Sequence, residues 1–137
     1  MKKGYALLLF TILTAGIMLA QVKTNNAPAP VKGPEITFEK LVVDYGTIPH
    51  MSDGVREFKF KNTGTEDLII SECGQSCGCT TPDCPKDIFA PGESGVVKVK
   101  YATDRVGAFM KTVSVNSNAV NSSVTLTIQG NVLPAEE

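Results

Sequence analysis

From Ile36 onward the chain alternates apolar and polar residues in short runs, and no window carries the three-to-four-residue repeat of an amphipathic helix. In Val55–Lys61 (VREFKFK), Phe58 and Phe60 fall on one side while Glu57, Lys59 and Lys61 fall on the other, the period-two pattern of a half-buried strand. Val97, Val99 and Tyr101 oppose Lys98 and Lys100 in the same way, and Val124, Leu126 and Ile128 alternate with Thr125, Thr127 and Gln129. Ile36–Phe38, Leu41–Tyr45, Leu68–Ile70 and Phe109–Val115 complete the set, although Lys111 shares the parity of its apolar neighbours. Turn signals separate the runs: Gly46, Pro49, Asp53-Gly54, Asn62-Thr63-Gly64, Pro91-Gly92 and the polar stretch from Asn116 to Ser123. A parallel sheet needs crossover helices, and this pattern offers none. The spacing predicts an all-β, immunoglobulin-like antiparallel β-sandwich of about seven strands. A small closed barrel is the alternative, because alternation does not distinguish closure from two packed sheets.

Ahead of the body, Met1-Lys2-Lys3 supplies a short positive start and Tyr5–Ala20 an apolar run of sixteen residues. This is the pattern of a secretory signal peptide over residues 1–20, with cleavage expected after Ala20. As a helix the run falls short of the roughly 20 residues that span a hydrocarbon core, so an uncleaved anchor is the lesser reading. The membrane is therefore met only transiently, through the signal segment. Lipid anchoring is disfavoured because the first cysteine is Cys73. Residues 21–34 contain Asn25, Asn26, Pro28, Pro30 and Pro34 without apolar periodicity and read as a Pro/Asn-rich linker. Residues 35–133 form the predicted sandwich and residues 134–137 an acidic tail. One domain of this length holds one core, which excludes a multidomain enzyme. The chain carries 13 Lys and Arg against 14 Asp and Glu, and Lys2 and Lys3 leave with the signal, so 11 basic side chains face 14 acidic ones in the mature form. No basic block remains to neutralise a run of phosphates, and nucleic acid is excluded as a partner.

The densest chemistry lies in Cys73-Gly-Gln-Ser-Cys77-Gly-Cys79-Thr-Thr-Pro-Asp-Cys84, which holds all four cysteines. An even number in an exported domain points first to disulfides, with three connectivities open. Cys73 and Cys84 bracket the segment and are favoured as one bridge. That leaves Cys77 and Cys79 either free or paired through a tight ring eased by Gly78. Metal binding by the thiolates is weaker, since the cysteine spacings do not match the paired Cys-x-x-Cys of zinc knuckles. Disulfide exchange through Cys77-Gly78-Cys79 lacks a Lys, Arg or His inside the segment to stabilise a thiolate, while Glu72 and Asp83 oppose one. No metal or cofactor is assigned.

Catalytic constellations are missing. His50 is the one histidine, in a Pro- and Asp-containing turn with nothing local to orient it, and reads as a solvated loop residue. Asp44, Asp53, Glu57 and Asp104 are scattered singly instead of paired across a cleft. Asn121-Ser122-Ser123 matches a glycosylation acceptor, a short pattern that arises often by chance.

Several strings together resemble a known family. These are Asp44-Tyr45-Gly46-Thr47-Ile48, Phe58-Lys59-Phe60-Lys61-Asn62-Thr63-Gly64, Ser76-Cys77-Gly78-Cys79-Thr80-Thr81-Pro82, Pro91-Gly92-Glu93-Ser94-Gly95 and the closing Ser117-Asn118…Leu126…Ile128…Gly130. They are similar to the exported bacterial domain of unknown function 1573, itself akin to the immunoglobulin-like Hydin and major-sperm-protein group. The likeness covers about Ile36 to Val132. It implies a β-sandwich in secreted or periplasmic proteins without established enzyme activity. The family's recurring cysteine pair matches Cys77 and Cys79. Cys73 and Cys84 look like additions, whose joint appearance fits a mutual bridge.

The functional expectation is a non-catalytic binding or structural module, periplasmic, secreted or at the cell surface, with an unidentified protein or envelope component as partner. Its expected contact residues are Gln75, Ser76, Thr80, Thr81 and Pro82, on a loop stapled by Cys73, Cys77, Cys79 and Cys84. The alternative is thiol chemistry, Cu or Zn binding or disulfide exchange, at Cys77-Gly78-Cys79.

Overall fold

The computed structural model describes residues 31–137. The predicted signal segment and all of the linker before Val31 lie outside the described residues. Nine strands follow one another in this part of the chain: β1 (Ile36–Phe38), β2 (Val42–Ile48), β3 (Val55–Asn62), β4 (Leu68–Gln75), β5 (Thr80–Asp83), β6 (Ile88–Phe89), β7 (Ser94–Tyr101), β8 (Gly107–Ser117) and β9 (Ser123–Val132). They form two sheets, a four-stranded one in the order β1-β3-β7-β5 and a five-stranded one in the order β2-β9-β8-β4-β6. The architecture is the expected sandwich and not a closed barrel.

The alternation read in the sequence is what packs the two sheets together. Phe58 and Phe60 of β3, Val97, Val99 and Tyr101 of β7, Val113 and Val115 of β8, and Leu126 and Ile128 of β9 are all buried. Their polar neighbours project outward, so a single apolar layer fills the space between the sheets. Lys111 stays on the core-facing parity of β8, opposite Ile128, and is only half-buried. A lysine tolerates such a place by packing its stem and leaving its ammonium in water.

Two features differ from the sequence expectation. The strands number nine because β5 and β6 were not legible: Thr-Thr-Pro-Asp has no apolar alternation, and β6 has two residues, of which Ile88 is exposed. The sandwich is also not wholly antiparallel, since β2 pairs parallel with β9, Val42 opposite Thr127 and Ile48 opposite Val132. The chain pairs first through β1 with β3 in one sheet and then crosses to the other. Between Asp44 and Thr47 the register shifts, and Gly46 there has φ 66°, the left-handed conformation of a bulge. Hydrogen bonds from the Gly46 N–H (2.7 Å) and the Gln129 amide (3.2 Å) hold the Asp44 carboxyl below the usual carboxylate range. The folded unit also starts earlier than predicted. Gly33 and Pro34 are buried, and the Gly33 carbonyl accepts from Thr65 N–H at 2.8 Å while Pro34 accepts from Val120 N–H at 2.8 Å.

Three asparagines act as substitutes for missing strand partners. Asn62 Nδ2 donates to Glu66 O and Phe89 O, and its Oδ1 accepts from Gly64 N–H and Glu35 N–H. Asn118 accepts from Ile69 N–H at 2.8 Å and donates to Asp67 O at 3.0 Å. Asn121 accepts from Ile36 N–H at 3.1 Å and donates to Ile36 O at 2.7 Å, so the amide of the glycosylation-like triplet serves the edge of β1.

Tyr45 closes one end of the core. Its ring packs edge-on to Phe109 at 5.3 Å, the Arg56 guanidinium lies 4.2 Å over its face, and its hydroxyl donates to Gly54 O at 2.7 Å. Burial pushes the phenol up to about 12, against the opposing pull of Arg56. A tyrosine in the unfolded chain ionises near pH 10. Between about pH 10 and pH 12 the unfolded chain therefore sheds a proton that the folded one keeps. The contribution of this group is complete below pH 10 and is lost as pH rises through 12, a total of roughly 2 to 3 kcal/mol. Tyr45→Phe is expected to flatten that alkaline decline while costing about 1–2 kcal/mol at neutral pH, as urea midpoints across the range would show.

Candidate functional site

The cysteine segment lies where the chain passes from one sheet to the other. Residues Cys73, Gly74 and Gln75 at the end of β4 pair with Val115, Ser114 and Val113 of β8. Ser76 prolongs that pairing, its N–H donating to Thr112 O at 3.0 Å and its Oγ accepting from Thr112 N–H at 3.1 Å. A turn follows, with Thr80 N–H donating to Cys77 O at 3.3 Å. Ala102 N–H donates to Cys79 O at 2.8 Å, and β5 then runs along the edge of the four-stranded sheet, Thr80 opposite Tyr101 and Pro82 opposite Val99.

The structure pairs Cys73 with Cys84, their Cα atoms 6.5 Å apart, and Cys77 with Cys79, 5.3 Å apart. The two bridges do different work. Cys73 belongs to β4 of the five-stranded sheet, and Cys84 directly follows β5 of the four-stranded sheet, so this bond ties the two sheets at their open side. Its sequence separation is 11, against 2 for Cys77–Cys79. Chain-entropy arguments give roughly 3 kcal/mol for a loop of the first size and under about 2 kcal/mol for the second. Cys73→Ala/Cys84→Ala is thus expected to lower the unfolding free energy by about 3 kcal/mol, clearly more than Cys77→Ala/Cys79→Ala. Denaturant titration of the two double variants measures this, and equal losses would contradict the division. With both bonds closed, the four sulfurs offer no thiolate to a metal ion.

The expected contact residues do not form one loop. Gln75 ends β4, Ser76 and Cys77 open the turn, and Thr80, Thr81 and Pro82 belong to β5. Gln75, Ser76 and Thr81 are exposed, as is Gly78, and Pro82 is half-buried. Thr80 corrects the expectation: it has no exposed surface. Its place on β5 is an inward one, and its hydroxyl lies 3.9 Å from Cys77 Sγ and 3.8 Å from Cys79 Sγ. Cys79 N–H also donates to Cys77 Sγ at 3.2 Å. Sequence reading missed this hydroxyl–sulfur cluster; the parity of β5 is the signal that would have found it.

His50 Nε2 meets the Asp104 carbonyl at 3.2 Å, which ties two loops together and leaves the ring beside no nucleophile that a described hydrogen bond identifies. An apolar groove of about 360 Å³ runs over Thr37, Phe38, Lys59, Lys61, Ser94 and Val96. It lies at the Ser94 end of β7, whereas the cysteine corner sits at the Tyr101 end.

Taken with its sheet order, this geometry defines an all-β, immunoglobulin-like β-sandwich domain. The chain belongs to the family described as protein of unknown function (DUF1573), whose profile matches residues 36–132. Among solved structures it is similar to a protein of unknown function from Porphyromonas gingivalis W83, with TM-score 0.64, 11% identity, and 77% of this chain and 50% of that one covered. It is also similar to the ASH / PapD-like domain 7 of human CEP192, with TM-score 0.63, 8% identity, and 79% and 92% covered. The periplasmic chaperone SfaE matches with TM-score 0.50, 11% identity, and 74% and 57% covered. At these identities the likeness concerns fold alone. The chain spans about half the length of the Porphyromonas gingivalis protein. No curated protein matches.

Proposed function

We propose that this domain is a non-catalytic binding module that works outside the cytoplasm and meets its partner at the cysteine corner. The observation that carries the reading is the fixation of that corner. One disulfide joins the flanking strands, a second closes the turn, and Ser76 is hydrogen-bonded on both sides to Thr112. Gln75, Gly78 and Thr81 nonetheless remain open to solvent. A surface held in one conformation before contact loses little entropy on binding, which favours recognition there over recognition by a mobile loop. Two paired cysteine couples in so small a domain support an oxidising compartment. The partner is a protein or an envelope component.

Capture from native envelope extract tests the reading. Gln75→Ala/Thr81→Ala is expected to reduce recovery of the captured species at least about 10-fold, a loss of roughly 1.4 kcal/mol or more. Lys59→Ala/Lys61→Ala, on the outer face of the four-stranded sheet, serves as the control and is expected to retain it. Equal recovery by both variants, with unchanged folding, would overturn the assignment of this corner.

A further inference from the structure

The backbone around the Cys77–Cys79 bridge is also held by hydrogen bonds that do not involve sulfur. These are Thr80 N–H to Cys77 O, Ala102 N–H to Cys79 O and the two hydrogen bonds between Ser76 and Thr112. The inter-sheet tie belongs to Cys73–Cys84. What surrounds the smaller bridge is better suited to chemistry than to support.

The two sulfur positions are unlike each other. Cys79 is 3% exposed, whereas Cys77 is half-buried and faces a turn whose middle residue is an exposed glycine. A Cβ built on Gly78 would meet nothing within 4 Å, so no side chain screens the approach to Cys77 from that side. Hydrogen-bond donors converge on both sulfurs. Cys79 N–H points at Cys77 Sγ at 3.2 Å, and the Thr80 hydroxyl lies within 4 Å of each. Thr80 is completely buried, and these sulfurs are the hydrogen-bond partners its hydroxyl has in the fold. A buried hydroxyl costs free energy unless it is partnered, so a valine of the same shape would serve packing better. A donor aimed at sulfur is useful when that sulfur becomes a thiolate.

We propose that Cys77–Cys79 is a thiol–disulfide exchange site that oxidises a dithiol. A substrate thiolate attacks Cys77 Sγ, the exposed sulfur. The substrate–Cys77 bond forms, the Cys77–Cys79 bond breaks, and the electron pair leaves on Cys79 Sγ beside the Thr80 hydroxyl. The second substrate thiolate then attacks the substrate sulfur of the mixed disulfide. The substrate disulfide forms and Cys77 departs as a thiolate facing the Cys79 N–H. Two electrons have passed from the substrate to the Cys77–Cys79 pair; the protons its thiols gave to solvent on ionising are balanced by those the Cys77 and Cys79 thiolates take up from it. The surface around Cys77 selects the reductant. Gln75, Ser76, Gly78 and Thr81 are uncharged, while Glu72 and Asp83 are exposed at the flanks. Such a surface admits an uncharged dithiol in a peptide and disfavours an acidic monothiol such as glutathione. This activity goes beyond the docking function and needs no captured partner, so failure of either one leaves the other standing.

The test uses the protein isolated with both disulfides intact. Reduction by dithiothreitol, by a synthetic two-cysteine peptide and by glutathione is followed under native conditions, with alkylation and peptide mass mapping to read each bridge separately. Cys77–Cys79 is expected to open at least about 10-fold faster than Cys73–Cys84, and faster with the two dithiols than with glutathione. Thr80→Val is expected to slow that opening several-fold while leaving the thermal midpoint within the range of a buried conservative change. Cys79→Ser, which leaves Cys77 a free thiol, is expected to capture a one-cysteine peptide supplied as its mixed disulfide with thionitrobenzoate: the Cys77–peptide bond forms and thionitrobenzoate leaves. In the reduced protein, Cys77 is expected to alkylate at neutral pH faster than in the urea-unfolded chain, a difference that packing alone does not produce. A bridge that opens only when the protein unfolds would overturn the proposal. So would an opening rate untouched by Thr80→Val in protein that remains folded.

Discussion

Asn62→Asp is expected to destabilise the domain by about 4 kcal/mol at neutral pH, a large share of the usual 5–15 kcal/mol that holds a domain folded. The side chain at this position has no exposed surface. Its Nδ2 donates at 2.7 Å to Glu66 O and at 2.8 Å to Phe89 O, so a carboxylate there would face two carbonyl oxygens with nothing to donate. The two N–H groups that Oδ1 accepts from, Gly64 and Glu35, would soften the charge without replacing the lost donors. Burial raises the pKa of such a carboxyl in the folded state above its value in the unfolded chain. The folded variant therefore holds a proton that the unfolded one releases. Its destabilisation is greatest above the folded pKa and shrinks as pH falls through it. Urea midpoints at pH 7 and near pH 5 measure both parts, and a variant equally stable at the two values would contradict the account. Asn62→Leu abolishes all four bonds and is expected to cost a similar amount with no pH dependence, because each orphaned buried group costs about 1–3 kcal/mol.

Phe60→Ala carries the second large effect, an expected loss of about 3–5 kcal/mol. The Phe60 ring meets Phe89 edge-on at 4.9 Å and Phe38 at 5.6 Å, and it is 1% exposed. It fits because the residue opposite it on β7 is Gly95. A Cβ at that position would stand 2.5 Å from Phe60 Cζ and 2.6 Å from Phe89 Cε1, two atoms of rings that already brace each other. Gly95→Ala is thus expected to cost about 3 kcal/mol by overpacking. In the Phe60→Ala background the same change should cost far less, since the added methyl enters vacated space. A double-variant cycle by denaturant titration measures that coupling, expected at about 1–3 kcal/mol. Strict additivity would show that the ring and the glycine do not share the same volume.

These two positions show how legibility varied along the chain. Phe60 was readable as a core residue because Val55–Lys61 alternates cleanly. That Gly95 makes room for it was not, since the residues meet only after β3 and β7 pair. Asn62 was readable as the start of a turn, and its neighbours Thr63 and Gly64 do turn the chain. Its other role, bracketing the segment before β1 and the carbonyl of Phe89, depends on strands brought from distant parts of the sequence. The polar stretch from Asn116 to Ser123 hid Asn118 and Asn121 for the same reason. At the cysteine corner, residue spacing singled out the segment and favoured Cys73 with Cys84. The burial of Thr80 beneath the second bridge needed β5 to be recognised as a strand.

The sequence by itself determined which residues of the cleanly alternating runs face inward, where seven of the strands lie, and that sulfur chemistry concentrates in one short segment. Tertiary structure decided that β2 joins β9 in parallel, that Thr80–Asp83 and Ile88–Phe89 are strands at all, and that one disulfide spans the sheets while the other closes a turn. The physical reason is that alternation records the burial of side chains, a local property of each strand. Strand pairing rests on backbone N–H and C=O groups that nearly every residue carries, so their partners are chosen only when the whole core closes.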